Sequence, residues 1–124
     1  MPTNVNTDKA PGAIGPYSQA MQIAGLLFTS GQLPIAPASG EMPKDIAGQT
    51  RQSLENVKAI LEEAGSHMNN VIKTTVFLSD MANFAAMNEI YAEYFNDPFP
   101  ARSCFQVARL PKDALVEIEV IAEK

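Results

Sequence analysis

The chain has one cysteine and one histidine in 124 residues, and charged residues make up only 19% of it. The single cysteine, Cys104, excludes an internal disulfide and fits a reducing compartment. The single histidine, His67, follows Gly65-Ser66 in a loop pattern and reads as a solvated turn residue. One histidine removes Ser-His-Asp hydrolysis, His-rich zinc sites and C2H2 fingers from consideration. No apolar run approaches the length of a bilayer span, so no membrane partner is expected. The first residues, Met1 to Lys9, lack the charged-then-apolar order of a secretory signal, and the expected location is cytoplasmic. Clustered Lys and Arg are missing as well. The net charge of −5 runs against broad attraction to nucleic acid. No Walker loop or dinucleotide fingerprint is present; Gly12-Ala-Ile-Gly15-Pro16 is followed by a strand pattern, not a helix. Neither a cofactor nor a metal is implied. There is no internal repeat and no low-complexity segment. What remains, with 46% hydrophobic residues, is an ordinary globular composition of the size of one domain, residues 1–124.

Two segments near the C-terminal end alternate side-chain type with period two, as strands do. In Pro100 to Val107, Ser103, Phe105 and Val107 share one face, and Arg102, Cys104 and Gln106 the other. In Val116 to Ala122, Val116, Ile118, Val120 and Ala122 form an apolar face opposite Glu117 and Glu119. If both lie in one sheet, the face away from the helices is expected to carry a guanidinium, a thiol and two carboxylates. That is unusual equipment for a surface that only meets water.

Along the rest of the chain, the first dozen residues read as an arm packed over the domain. Tyr17 to Ala24 and Leu26 to Ser30 read as a hairpin around Gly25. Leu33 to Pro43 carries three prolines and Gly40 and reads as a loop. Ile46, Thr50, Leu54, Val57, Leu61 and Ala64 recur every three or four residues, one stripe of an amphipathic helix closed by Gly65. Val71 to Leu78 is rich in β-branched residues, with Ile72, Thr74, Val76 and Leu78 on one face. Asp80 can cap a second helix whose buried stripe is Met81, Phe84, Met87, Tyr91 and Tyr94 or Phe95, ended by Asn96 to Pro100. The order strand, strand, helix, strand, helix, strand, strand gives an α+β two-layer sandwich with both helices on one sheet face. The other face would expose Phe77, Leu115 and Ile121 among polar residues. A symmetric oligomer that packs these faces together would cover them and could build sites between subunits.

Several residues have two readings. Arg102, partly inside a sheet, is costly unless paired. It is either a structural ion pair with Glu117 or Glu119, or an anchor that grips a carboxylate with two parallel hydrogen bonds. Of Glu117 and Glu119, one can be structural while the other acts as a base or orients water. Cys104 is either a small buried hydrophobe or a nucleophile whose pKa Arg102 lowers. Tyr17 and the Ser30-Gly31 pair can be packing and turn residues. Asn88, a poor helix former in mid-helix, can simply face solvent.

The segments Ala10-Pro-Gly-Ala-Ile-Gly-Pro-Tyr-Ser-Gln19, Phe28-Thr-Ser-Gly-Gln-Leu-Pro34, Gln49-Thr-Arg-Gln-Ser-Leu-Glu-Asn-Val57, Val71 to Leu78, Phe84-Ala-Ala-Met-Asn-Glu-Ile-Tyr91 and Pro100 to Ala122 together resemble the reactive intermediate deaminase family (RidA, also called YjgF). The likeness runs in order over almost the whole chain, and Pro-Ala-Arg-Ser joined to Val-Ala-Arg-Leu-Pro is its most specific part. The resemblance implies a chorismate-mutase-like fold with a mixed sheet, and a homotrimer with three clefts between subunits. It implies hydrolysis of 2-aminoacrylate, 2-aminocrotonate and related enamine or imine acids released by pyridoxal-phosphate-dependent dehydratases, giving 2-keto acids and ammonia. It further implies that Arg102 binds the substrate carboxylate and Glu117 holds the attacking water. Tyr17, Ser30, Gly31, Asn88 and Cys104 would line the cleft. The segment before Pro100 looks shorter than in some relatives. Other roles attached to the family are RNA cleavage or translation inhibition, and a non-catalytic small-acid sensor or chaperone is a further alternative. The acidic balance, the absence of an aromatic-plus-basic stripe and the lack of a catalytic histidine weigh against RNA.

Overall fold

In the computed structural model, which describes residues 1–124, the N-terminal arm opens with a short strand, β1 (Thr3–Val5). It pairs antiparallel with β2 (Ala20–Ile23). Period-two patterning does not reveal β1, because only Val5 of its three residues is buried. β2 returns as β3 (Leu26–Thr29), and Ile23 pairs with Leu26, so the connecting loop is Ala24-Gly25. Both loop residues have positive φ, 53° and 81°, the left-handed pair that suits the twist of a tight hairpin. Tyr17 to Gln19 stay outside the strand; the Tyr17 N–H turns back to the Gly15 carbonyl at 2.8 Å.

Helix α1 (Ile46–Glu63) starts where the Asp45 carboxylate accepts the Gly48 N–H at 3.0 Å. Its Leu54, Val57, Ile60 and Leu61 have no exposed surface. Each such side chain contributes about 1.5–3 kcal/mol of burial. Beside them lies a buried polar row. Ser53 donates to the Gln32 carbonyl at 3.0 Å, Asn56 to those of Leu33 and Ile35 at 3.0 Å each, and Gln49 to that of Pro43 at 2.8 Å. The proline-rich loop itself satisfies the Ala36 and Glu41 carbonyls, and α1 donates to those of Leu33, Ile35 and Pro43.

Strand β4 (Val71–Leu78) buries Val71, Thr74, Val76 and Leu78, whereas Ile72 is 50% exposed. The register shift between Val71 and Lys73 is the reason: a bulge turns Ile72 away from the core. Asp80 caps a short 3-10 turn (Met81–Asn83) that leads into α2 (Phe84–Tyr91). Met81 is consequently exposed, while Met87, Tyr91 and Phe95 are buried.

Strands β5 (Ala101–Gln106) and β6 (Val116–Glu123) complete a six-stranded sheet of order β1-β2-β3-β6-β4-β5. The last strand enters between β3 and β4, antiparallel to both, and β5 lies parallel to β4. The sheet is therefore mixed, and both helices are crossover connections. They pack on one face over Val76, Leu78, Val116, Ile118 and Val120. The chain thus adopts the expected α+β two-layer architecture. The other face is bare: Phe28 and Phe105 are exposed, and Phe105 meets Phe77 edge-to-face with centroids 5.4 Å apart. No helix is long and apolar enough to cross a membrane.

Candidate active site

Strand register decides which side of the sheet each candidate residue takes. Arg102 lies beside Thr74, which lies beside Val120; Cys104 lies beside Val76, which lies beside Ile118. Neighbours across a ladder point the same way. Thr74, Val76 and Ile118 are fully buried beneath the helices, so Arg102 and Cys104 project to the helix side. Glu117 lies beside Phe77 and Glu119 beside Thr75, on the bare face. The expectation of guanidinium, thiol and both carboxylates on the face away from the helices is therefore corrected. The alternation inside each strand holds, but the relation between strands comes from the register. An Arg102 ion pair with Glu117 or Glu119 within the chain is excluded by the same geometry.

On the helix side, Arg102 Nη1 donates to Asn88 Oδ1 at 2.7 Å. Its Cζ sits 4.7 Å from the Tyr91 ring centroid and 5.5 Å from that of Phe84. Cation–π attraction at these distances holds the guanidinium flat without consuming its donors. Tyr91 is itself fixed by a 2.8 Å hydrogen bond between its hydroxyl and that of Thr74. Asn88, though mid-helix and exposed, aims its carbonyl at the arginine. The guanidinium has no carboxylate partner and opens onto a hollow lined by Asn88, Tyr91, Ala92, Phe99 and Pro100. Cys104 packs against the core, and burial raises its pKa while Arg102 lowers it. Burial wins, which keeps the thiol protonated at neutral pH and favours its reading as a small hydrophobe.

On the bare side, Glu117 meets Gly31. The pairing between the two chain segments runs from Phe28↔Ile121 to Gln32↔Ile118, four residues against three, so a bulge falls between Phe28 and Gln32. The Glu117 carboxylate lies against the Gly31 Cα; a Cβ there would overlap a carboxylate oxygen and stand 2.8 Å from its carbon. Ser30 donates to the Ser18 carbonyl at 2.6 Å, keeping its lone pairs available. Tyr17 is half-exposed, and its hydroxyl oxygen accepts the Ile14 N–H at 3.4 Å. A cavity of about 260 Å³ opens between the N-terminal arm and the Leu33–Gly40 loop, with Tyr17, Gly31, Gln32 and Lys112 in its lining. The Glu117 carboxyl is held above its ordinary value of 4.5, first by burial and second by the neighbouring Glu119 charge. A carboxylate raised in this way is a better proton acceptor near neutrality.

The seven candidate residues thus fall into two groups. Arg102, Asn88 and Cys104 form one, and Glu117, Gly31, Ser30 and Tyr17 the other, on opposite faces of one sheet. Sequence reasoning placed Phe84 and Tyr91 in the core stripe and missed that their rings hold Arg102. Their spacing from Asn88, at i−4 and i+3, was the available signal. No three His, Cys, Asp or Glu side chains come together in a way that could hold a metal ion.

Residues 7–124 match the family model described as endoribonuclease L-PSP. A RutC family protein of Pasteurella multocida is 57% identical over 124 residues, covering 97% of this chain and 96% of the relative. The 2-iminobutanoate/2-iminopropanoate deaminase of Escherichia coli K12 is 51% identical over 125 residues, covering 98% of each. Among solved structures, E. coli TdcF with bound serine superposes with a TM-score of 0.94 at 48% identity, covering 98% of both chains.

Proposed function

The chain belongs to the reactive intermediate deaminase family (RidA, YjgF), and on that premise we propose that it hydrolyses 2-aminoacrylate, 2-aminocrotonate and their imine tautomers to 2-keto acids and ammonia. It is an enzyme, a 2-iminobutanoate/2-iminopropanoate deaminase. The observation that carries the assignment of its site is the unpaired Arg102 guanidinium, held by Asn88 and two rings and facing an open hollow. Such a fork grips a small carboxylate with two parallel hydrogen bonds.

Glu117 supplies the other half. Because it leaves the opposite face, a complete cleft takes Arg102 from one subunit and Glu117 from the next. A homotrimer with three such clefts fits this division and covers the apolar bare face. The single unpaired cysteine fits a cytoplasmic enzyme.

In the reaction, the enamine tautomerises to the imine, whose C2 is electrophilic. Arg102 fixes the carboxylate and draws charge toward itself, so the substrate is still beside an ordered water. Glu117 takes a proton as the water oxygen bonds to C2, and the C=N π electrons move to nitrogen. The resulting carbinolamine is protonated on nitrogen through the same carboxyl. The same carboxyl then takes the hydroxyl proton and passes it to nitrogen, so that the C=O bond forms as the C–N bond breaks and ammonia leaves. Tyr17, Ser30, Gly31, Asn88 and Cys104 line the cleft. No metal ion or covalent intermediate enters these steps. Ribonuclease action, which the family description names, has less support. The net charge is −5 and the only histidine is exposed at a turn before β4.

The test is a coupled assay. A threonine or serine dehydratase generates the enamine, semicarbazide competes for the imine, and 2-keto acid is followed with wild type and Arg102→Ala. Faster keto-acid release with wild type alone is expected. Equal release from a folded Arg102→Ala protein would refute the role of the arginine, and no effect of either would refute the activity on these substrates.

A further inference from the structure

Gln19 is 3% exposed and takes no part in the chemistry above. Its side-chain nitrogen donates to the carbonyls of Thr7 at 3.1 Å, Ala10 at 3.3 Å and Pro11 at 2.8 Å. Its side-chain oxygen accepts the Thr7 N–H at 2.7 Å. One amide thus satisfies four backbone groups of the N-terminal arm, with one N–H shared between two acceptors. The arm needs it. Residues 6 to 14 lie in no helix or strand, and no backbone-to-backbone hydrogen bond outside the regular elements begins or ends among them. Apart from the local bond from the Lys9 N–H to Thr7 Oγ1, the arm's hydrogen bonds in that span go to Gln19 and to the Tyr17 hydroxyl.

The two walls of the 260 Å³ cavity are therefore held differently. The Leu33–Pro37 wall is tied to α1 through Ser53 and Asn56. The opposite wall, with Pro11, Ile14 and Tyr17, is tied by the Gln19 amide and the bond from the Ile14 N–H to the Tyr17 hydroxyl, with Ala10 packed into the core beside it. We propose that Gln19 is a positioning residue: it closes the arm onto the cavity and keeps Tyr17 beside Gly31, so that substrate binding depends on a side chain whose amide is engaged with the arm. The proposal rests on reading Tyr17, Gly31 and Glu117 as one half of the deaminase cleft. Arg102 and Glu117 belong to the sheet rather than the arm. Releasing the arm weakens binding and leaves the chemical step in place, which raises KM with little change in kcat.

Two variants test this. In Gln19→Glu, the protonated carboxyl can donate to one carbonyl and accept from Thr7, whereas the ionised form faces three carbonyl oxygens in a buried site. The expected KM of Gln19→Glu equals that of wild type at mildly acidic pH and climbs about tenfold above it at mildly alkaline pH. Its kcat should stay within about twofold of wild type throughout. Gln19→Leu should show the raised KM at every pH, and amide exchange across residues 6 to 14 should quicken wherever KM rises. Faster exchange with an unchanged KM would overturn the proposal, as would equal losses of kcat and melting temperature at all pH values in Gln19→Glu. A wild type that turns over no imine sinks the deaminase reading instead, and is seen before any substitution is made.

Discussion

If Arg102 and Glu117 meet only across subunits, two inactive proteins should restore activity when mixed. The single substitutions Arg102→Ala and Glu117→Gln each spoil every cleft of their own oligomer. Loss of a positioned base alone costs about 10²–10⁴ in rate. In an equal, random mixture, a given cleft draws Arg102 from one subunit and Glu117 from its neighbour. Both are intact in half times half of cases, so about a quarter of wild-type turnover returns. A second mixture, of wild type with the double substitution Arg102→Ala/Glu117→Gln, separates the alternatives. If the residues meet in trans, it too yields about a quarter; if they met within one chain, it would yield about half and the first mixture nothing. The assay is keto-acid release from dehydratase-generated enamine after joint unfolding and refolding. Sizing should place the product at three times the 13.4 kDa chain. A first mixture no more active than its parents, beside a second retaining half, would refute the opposite-face argument.

Gly31→Ala should remove the function of Glu117 without touching it, because the new Cβ displaces a carboxylate at the end of a flexible side chain. Turnover should fall by about a hundredfold or more while Tm drops by less than about 4 °C, and adding Glu117→Gln should cost little further; unchanged turnover would contradict the contact. Burial and Glu119 raise the folded Glu117 pKa, so its ionised form is disfavoured in the native state. Its contribution to stability is full below the ordinary carboxylate pKa and is lost as pH rises through the raised value. Glu117→Gln should therefore be more stable than wild type near about pH 7, with the advantage fading near about pH 4, as denaturant titrations can measure. Wild-type kcat/KM should rise with pH around a midpoint above 4.5. Cys104→Ala should keep most of the turnover, and the wild-type thiol should alkylate slowly at neutral pH because burial outweighs Arg102; an inactive, folded Cys104→Ala oligomer would return the thiol to the chemistry.

The residues that carry the local structure are visible in the chain itself. The apolar period of α1 and the alternation in β4, β5 and β6 are properties of neighbours in sequence, and each element forms where its pattern lies. So are a hairpin around Gly25 and the α+β order. The weak places were those where a tertiary contact overrides the pattern: β1, which is nearly all polar, and Ile72, which a bulge turns outward. The resemblance picked out all seven candidate residues. Which of them belong together was decided elsewhere. Period-two alternation states that Arg102 and Cys104 share a side, and that Glu117 and Glu119 do, but it is silent on the phase between two strands. That phase depends on hydrogen-bond register through β4, which lies between β5 and β6 and fixes Arg102 beside Thr74 and Glu117 beside Phe77. Only the folded sheet therefore separates Arg102 from Glu117, and with them the two halves of the proposed cleft.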